Sequence, residues 1–297
     1  MLRQHDLQDL VERLERDGEF LVLRKLKLCE GHTAVPYDGG ATFIAAVIDV
    51  ETTGLDPNSD VIIELAMRRF RFDGVGRILS IDRVWSWLED PGRPLPAKIT
   101  QLTGLTDAGL AGQRIDEATA VRLFRSLHLV IAHNAAFDRK FVERRLPDAA
   151  GLPWACSCNE VDWVRAGFDG ARNLGWLVFQ AGLFFGGHRA SNDVDAVVAL
   201  LGHRLPDDRT VLGELVTRSS APSMRVEAVG ADFSVKADLR CRGYRWDPDL
   251  KVWWKEIVDS ELGEEQGWLG RHVYGTDHRA RASGPRIIEV SARERYA

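Results

Sequence analysis

The chain has 297 residues, 45% of them hydrophobic and 28% charged, with a formal net charge of −5. That length holds one substantial α/β domain and a small second unit, and the acidic balance excludes a general nucleic-acid coat, whose footprint is basic. No run approaches the roughly 20 apolar residues that span a bilayer, and the opening MLRQHDLQDLVERLERDGEF lacks the apolar core of a signal peptide, so a cytoplasmic location and no membrane partner are expected.

Leu7, Leu10, Val11 and Leu14 recur at helical spacing, Gly18 ends that helix, and Phe20 to Leu28 reads as a strand. Together they form an N-terminal helix-strand extension over residues 1–40, closed by a loop with Pro36 and Gly39-Gly40. An apolar run from Phe43 to Ile48 then delivers Asp49 and Glu51 and stops at Thr52-Thr53-Gly54. Residues two apart on a strand share a face, so the two carboxylates project together from the end of a buried strand. Neighbouring like charges raise each other's pKa unless a cation neutralises them. Hard ions such as Mg²⁺ or Mn²⁺ prefer oxygen ligands, and the pair reads as half of a metal site. Taken alone, the same spacing also fits a solvated strand end.

After a turn at Asp56 to Ser59, VIIELAMRRFRFD, a turn at Gly74 and Gly76, and RILSIDRVWSWL complete a three-stranded meander. Trp85 and Trp87 are expected in the core or at its rim. Pro91, Pro94 and Pro96 break the pattern, and KITQLTGLTDAGLAG gives a short helix, a glycine turn and a second helix start that Thr106 or Asp107 can cap. ATAVRLFRSLH is a helix and Leu129 to Ala135 a short buried strand ending in polar residues. Asn134 stands as N-cap of AAFDRKFVERRL, with Asp138 in the first or second turn.

Strands alternating with helices imply parallel pairing beside the meander. Sites in such sheets gather at the carboxyl ends of central strands, so the ends of the Asp49 and Ile131 strands are expected to be neighbours. Leu174 to Phe185 reads as helical; Gly186-Gly187 then leads to His188 in a loop and Asp193 at the start of a helix whose Val194, Val197, Val198 and Leu201 face the core. Cys29, Cys156, Cys158 and Cys241 suit a reducing compartment, and Cys156-x-Cys158 is tighter than the usual zinc spacing.

Four of these stretches together resemble the DEDDh family of 3′-5′ exonucleases, the group of the DNA polymerase III epsilon proofreading subunit, RNase T and oligoribonuclease. They are IDVETTG (Ile48 to Gly54), LTGLTDAGL (Leu102 to Leu110), IAHNAAFD (Ile131 to Asp138) and HRASND (His188 to Asp193), and the resemblance covers about residues 43–205. It implies an α/β fold, a ribonuclease H-like mixed sheet flanked by helices, in an exonuclease domain over 41–205. The implied activity is hydrolysis at 3′ ends of single-stranded DNA or RNA, DNA favoured, releasing nucleoside monophosphates.

The resemblance further implies two divalent ions, Mg²⁺ or Mn²⁺, held by Asp49, Glu51, Asp138 and Asp193. Asp49 would bridge both, Glu51 and Asp193 would hold the ion of the attacking water, Asp138 would position the second, and His188 would act as general base. Thr52, Thr53 and Leu55 fall near the terminal nucleotide and Phe137 near its sugar or base. Thr103 stands where epsilon-type members carry His. Asp195 is expected on the surface or behind the site. Two competing readings are a proofreading subunit held by a DNA polymerase or repair partner, and an idle module that keeps the fold for binding.

Beyond Leu205, residues 206–230 read as a helix (VLGELVTRS) and a Pro-containing linker, 231–275 as a small Trp/Arg-rich α+β module, and 276–297 as a loosely ordered basic tail. The module runs helix, Gly243, strand YRW, turn Asp247-Pro248-Asp249 and strand KVWWKEI. Its Lys236, Leu239, Gly243, Arg245-Trp246-Asp247, Lys251 and Trp253 are similar to the pattern of small modules appended to bacterial nucleic-acid proteins. Basic groups interleaved with Tyr244, Trp246, Trp253 and Trp254 suit single strands, where bases stack and phosphates are neutralised. The same tryptophans can instead supply the core that so small a module needs.

Overall fold

The computed structural model describes residues 4–275 and 280–297; the 276–279 part of the expected tail lies outside them. The chain divides into one unit that ends at Arg218 and includes Tyr296–Ala297, and a second that spans Ser219–Arg295. Among the described residues, no helix is long and apolar enough to cross a membrane.

The first unit opens with α1 (Gln4–Asp17), β1 (Arg24–Lys25) and β2 (Gly31–His32). The strand expected over Phe20 to Leu28 contracts to β1, because the only pairing it finds among the described residues is a parallel one with the two-residue β8 (Leu183–Phe184). Phe20 and Leu21 remain exposed. Next come β3 (Thr42–Thr52), β4 (Ile62–Asp73) and β5 (Ile78–Leu88), an antiparallel meander as expected. With β2 on the outer edge of β5, and with β6 (Leu129–Ala132) and β7 (Trp154–Cys156) parallel to β3, they make a six-stranded mixed sheet in the order β2-β5-β4-β3-β6-β7. This is the ribonuclease H-like arrangement that the resemblance implies.

Both faces of the sheet are covered, which is why β3 is nearly all apolar. Alternate residues go to opposite faces. Ala45 and Val47 join Phe70 and Ile131 under α6 (Leu174–Gln180) and α7 (Ala190–Leu201). Ala46, Ile48 and Val50 join Leu65 and Met67 under α4 (Glu117–Arg125) and α5 (Ala135–Arg145). Trp85 and Trp87, stacked at 5.9 Å, are half-buried at the rim of that second layer.

In chain order, α2 (Ala97–Thr103) and α3 (Asp107–Leu110) come between β5 and α4. Gly104, at φ 73°, turns the chain between them, and Thr106 Oγ1 caps α3 by accepting from Gly109 N at 3.2 Å. The helix expected from Leu174 to Phe185 ends at Gln180, since Gly182 (φ 73°) turns the chain into β8. Asn134 holds the N-cap position of α5 without a side-chain capping bond.

The second unit begins within the stretch expected to be a helix and linker. After α8 (Val211–Ser220) come β9 (Ser223–Ala228), α9 (Lys236–Cys241), the hairpin β10 (Arg245–Asp247) and β11 (Val252–Val258), α10 (Leu262–His272) and β12 (Arg286–Val290). Two expectations are corrected here. The linker contains β9, whose alternation of Met224, Val226 and Ala228 with Arg225 and Glu227 lets it enter the sheet at its centre, and the supposed tail contains β12, which pairs antiparallel with β9. The order is β10-β11-β9-β12.

Candidate metal and catalytic site

The alternation that buries Ala45 and Val47 carries Asp49 and Glu51 to the same face at the carboxyl end of β3. There α7 packs across β3 and β4 and its first turn brings Asp193. Asp49, Glu51 and Asp193 each offer a carboxylate oxygen within 4.8 Å of the others. Asp138 comes from α5 and is buried, with Oδ1 accepting from Val50 N at 3.2 Å. Four carboxylates from β3, α5 and α7 thus gather around one strand end.

Their proton affinities all move the same way. Burial raises Asp49 well above the usual carboxylate range, helped by Asp138, Asp193, Glu51 and Glu64. Glu51 is pushed up to about 7 by burial and by Asp193 and Glu64, against the pull of Arg189. Asp138 reaches about 7, again mainly through burial, despite the Val50 N–H. Asp193 reaches about 6 through burial, offset by the backbone amide of Arg189 and the nearby His188. This is the cost of like charges held together in a partly dry site. A divalent cation would remove it, and an all-oxygen donor set is the chemistry that Mg²⁺ or Mn²⁺ takes; the residues present fit such ions. Cys156 and Cys158 join no metal-capable group among the described residues.

His188 is exposed and sits at φ 62°. The loop around it is tied to the first turn of α7. Asn192 Nδ2 donates to Gly186 O at 2.7 Å, and Arg189 N donates to Asp193 Oδ2 at 3.1 Å.

Sequence reasoning missed Glu64 and Arg189. Glu64 lies opposite Glu51 on β4 and is fully buried. Its Oε2 accepts from Arg189 Nε at 3.0 Å, and its Oε1 from Arg189 Nη2 at 3.3 Å and Ser86 Oγ at 3.0 Å. The available signal was a lone carboxylate inside the apolar run VIIELAM, a costly residue in a central strand unless partnered.

The other expected site residues divide. Thr52 and Thr53 are buried and build the turn after β3: Thr52 Oγ1 donates to Gly54 O at 2.5 Å, and Thr53 Oγ1 donates to Asp60 Oδ1 at 2.9 Å while accepting from Val61 N at 3.1 Å. Leu55, 83% exposed, projects from that turn. Phe137 is half-buried, its ring 4.9 Å from that of Phe141. Thr103 uses its hydroxyl to close α2, donating to Ile99 O at 2.9 Å and accepting from Leu105 N at 3.1 Å. No hydrogen bond found among the described residues joins it to the carboxylates. Asp195 faces away into a 3.2 Å ion pair with the buried Arg68.

DNA polymerase III PolC-type from Thermotoga maritima is 34% identical over 118 residues, which cover 39% of this chain and 8% of the polymerase. The PolC-type polymerase of Clostridium perfringens is 38% identical over 104 residues, 34% of this chain and 7% of the polymerase. The chain therefore spans less than a tenth of the length of these curated relatives. Among solved structures, exonuclease X in complex with 5′ overhanging duplex DNA aligns with TM-score 0.42 and 23% identity, covering 57% of this chain and 99% of that one. The zinc-bound E. coli ExoI–ssDNA complex aligns with TM-score 0.48 and 15% identity, covering 85% and 64%. The exonuclease family RNase T matches residues 46–201, more than half of the 297, and that span holds Asp49, Glu51, Asp138, His188 and Asp193. The chain belongs to the RNase T family of exonucleases.

Proposed function

We propose that this chain is a metal-dependent 3′-5′ exonuclease that releases nucleoside monophosphates from single-stranded ends, with DNA favoured over RNA. The observation that carries the reading is the gathering of four proton-hungry carboxylates at one strand end. Asp49, Glu51, Asp138 and Asp193 would hold two Mg²⁺ or Mn²⁺ ions. Ions so held supply Lewis acidity to the attacking water and positive charge for the leaving 3′ oxygen.

The chain's own groups do the rest. His188 takes the proton of the attacking water as general base. Its exposure lets it reach that water and then return the proton to solvent. The bond from Arg189 N to Asp193 keeps the His188 loop folded onto the carboxylates. Leu55 and Phe137 offer apolar surface to the terminal nucleotide, with Thr52 and Thr53 holding the turn that presents Leu55.

A second reading, a proofreading exonuclease that works with a DNA polymerase, is favoured by the 34% identity to a segment of a PolC-type polymerase.

The test follows nucleotide release from single-stranded DNA and RNA with Mg²⁺, Mn²⁺ or EDTA. Release should require metal, vanish in Asp49→Ala, and fall by about 10²–10⁴ in His188→Ala. A folded wild type that releases nothing from either strand with either metal would overturn the stand-alone enzyme and leave the polymerase-dependent one.

A further inference from the structure

The second unit carries a surface that the nuclease chemistry does not use. Its aromatic residues sort into distinct roles. Tyr244 is buried and stacks on Trp268 at 6.3 Å, so it belongs to the core. Trp254 lies 4.4 Å beneath the Arg225 guanidinium. Trp253 and Trp246 pair across the β10–β11 hairpin with ring centroids 5.5 Å apart; Trp253 is half-buried, and Trp246 is 48% exposed.

Beside that pair, the Arg240 guanidinium stands 5.8 Å from the Trp253 ring. One turn earlier on α9, Lys236 Nζ lies 5.1 Å over the ring of Phe233, which is 80% exposed. Residues four apart share one side of a helix, so Lys236 and Arg240 align. Phe233, Lys236, Arg240, Trp253 and Trp246 therefore form a row in which the two cations stand between the Phe233 ring and the tryptophan pair. Asp238, two residues from each cation, falls on another side of the helix.

The unit's charges sort in the same way. Arg242 is paired with Glu264 at 2.7 Å, Lys255 with Glu265 at 3.1 Å, Arg225 with Asp247 at 3.0 Å and Arg295 with Glu256 at 2.8 Å. Lys236, Arg240 and, in the hairpin turn, the exposed Lys251 make no ion pair found among the described residues. Rings as exposed as Phe233 and Trp246 add little to a core, and cations left without carboxylates beside them call for an anionic partner.

We propose that this row binds a single-stranded segment of nucleic acid, its bases stacking on Phe233 and Trp246 and its phosphates neutralised by Lys236, Arg240 and Lys251. A duplex hides its base faces and has no use for the exposed rings. An acidic polypeptide would satisfy the cations and leave the rings idle. The surface belongs to the second unit and stands or falls independently of the nuclease reading.

The experiment measures fluorescence anisotropy of a labelled oligothymidylate with the full chain in EDTA, where no turnover is needed, across a salt series. Phe233→Ala combined with Trp246→Ala should weaken binding by about 30-fold or more, as two stacking contacts are lost. Lys236→Gln with Arg240→Gln and Lys251→Gln should flatten the log Kd against log salt slope by about 2, at roughly 0.7 per phosphate contact. All these side chains lie at the surface, and unchanged melting temperatures would show that the variants fold. The proposal is overturned if both folded variants keep the wild-type Kd and slope. It is equally overturned if only the cation variant weakens binding, or if polyglutamate competes as well as oligothymidylate, since either outcome describes an acidic-polymer site without stacking.

Discussion

Glu64 and Arg189 are joined by a 3.0 Å bond from Nε to Oε2 that ties the buried middle of the sheet to the residue after His188. The Glu64 side chain is fully buried and that of Arg189 45% exposed, so the pair links the core to the surface. Removing one partner of a buried pair leaves an uncompensated charge. Arg189→Ala is expected to lower stability by about 3 kcal/mol, the low end of the range for buried pairs because Arg189 is half in solvent. Urea unfolding without metal checks this. The same variant should lower kcat more than it raises KM, since the lost contact positions His188 and Asp193 rather than substrate.

Stability of the metal-free protein should depend on pH with an unusual sign. The folded-state pKa values of Glu51 and Asp138 are raised to about 7 and that of Asp193 to about 6. The native state therefore binds protons that the unfolded chain has already released. The stability these groups contribute is complete below the ordinary carboxylate range and is lost as pH rises through 6 to 7. Thermal melts in EDTA should show the melting temperature falling between about pH 5 and about pH 8, with Mg²⁺ stabilising more at the upper end. A Mg²⁺ effect larger at the acidic end would contradict the assignment of these carboxylates.

Asp138→Asn should separate function from stability. The amide oxygen can still accept from Val50 N, now 3.2 Å from Oδ1, while the repulsion with Glu51 disappears. At neutral pH the metal-free variant is expected to melt at or above the wild-type temperature. Nucleotide release should fall by more than the roughly 10–100-fold that loss of an outer hydrogen-bonding partner costs a metal site.

Gly54→Ala probes the turn after β3. A Cβ there would come within 2.4 Å of the Asp60 carboxylate, which accepts from Thr53 Oγ1 and Arg93 Nη2. Asp60 must move, at a cost of about 1–3 kcal/mol. KM should rise as the Thr52–Leu55 turn shifts, and steady-state kinetics beside urea melts measure both effects.

What could be read from the sequence was what depends on short spacing. The alternation through Ala45 to Glu51 placed two carboxylates on one face, the helical pattern around Val194 oriented Asp193, and the Leu129 run found the strand parallel to β3. What escaped was what depends on partners far along the chain. Glu64 was passed over within an apolar strand because Arg189, which satisfies it, lies 125 residues away. RIIEV at 286–290 is too short to declare itself without β9 beside it, and Phe20 to Leu28 had strand composition with almost no strand to pair with.

Direction of attack most sharply separates a metal-dependent nuclease that works from the 3′ end from any other. A single-stranded DNA carrying a 5′ label, with its 3′ end either free or blocked by a phosphorothioate linkage, would be followed over time with Mg²⁺. The expected result is a ladder of labelled products that shortens stepwise from the free 3′ end, stalls on the blocked strand and is absent with Asp49→Ala. Immediate release of the labelled nucleotide, or internal cuts indifferent to the block, would contradict it.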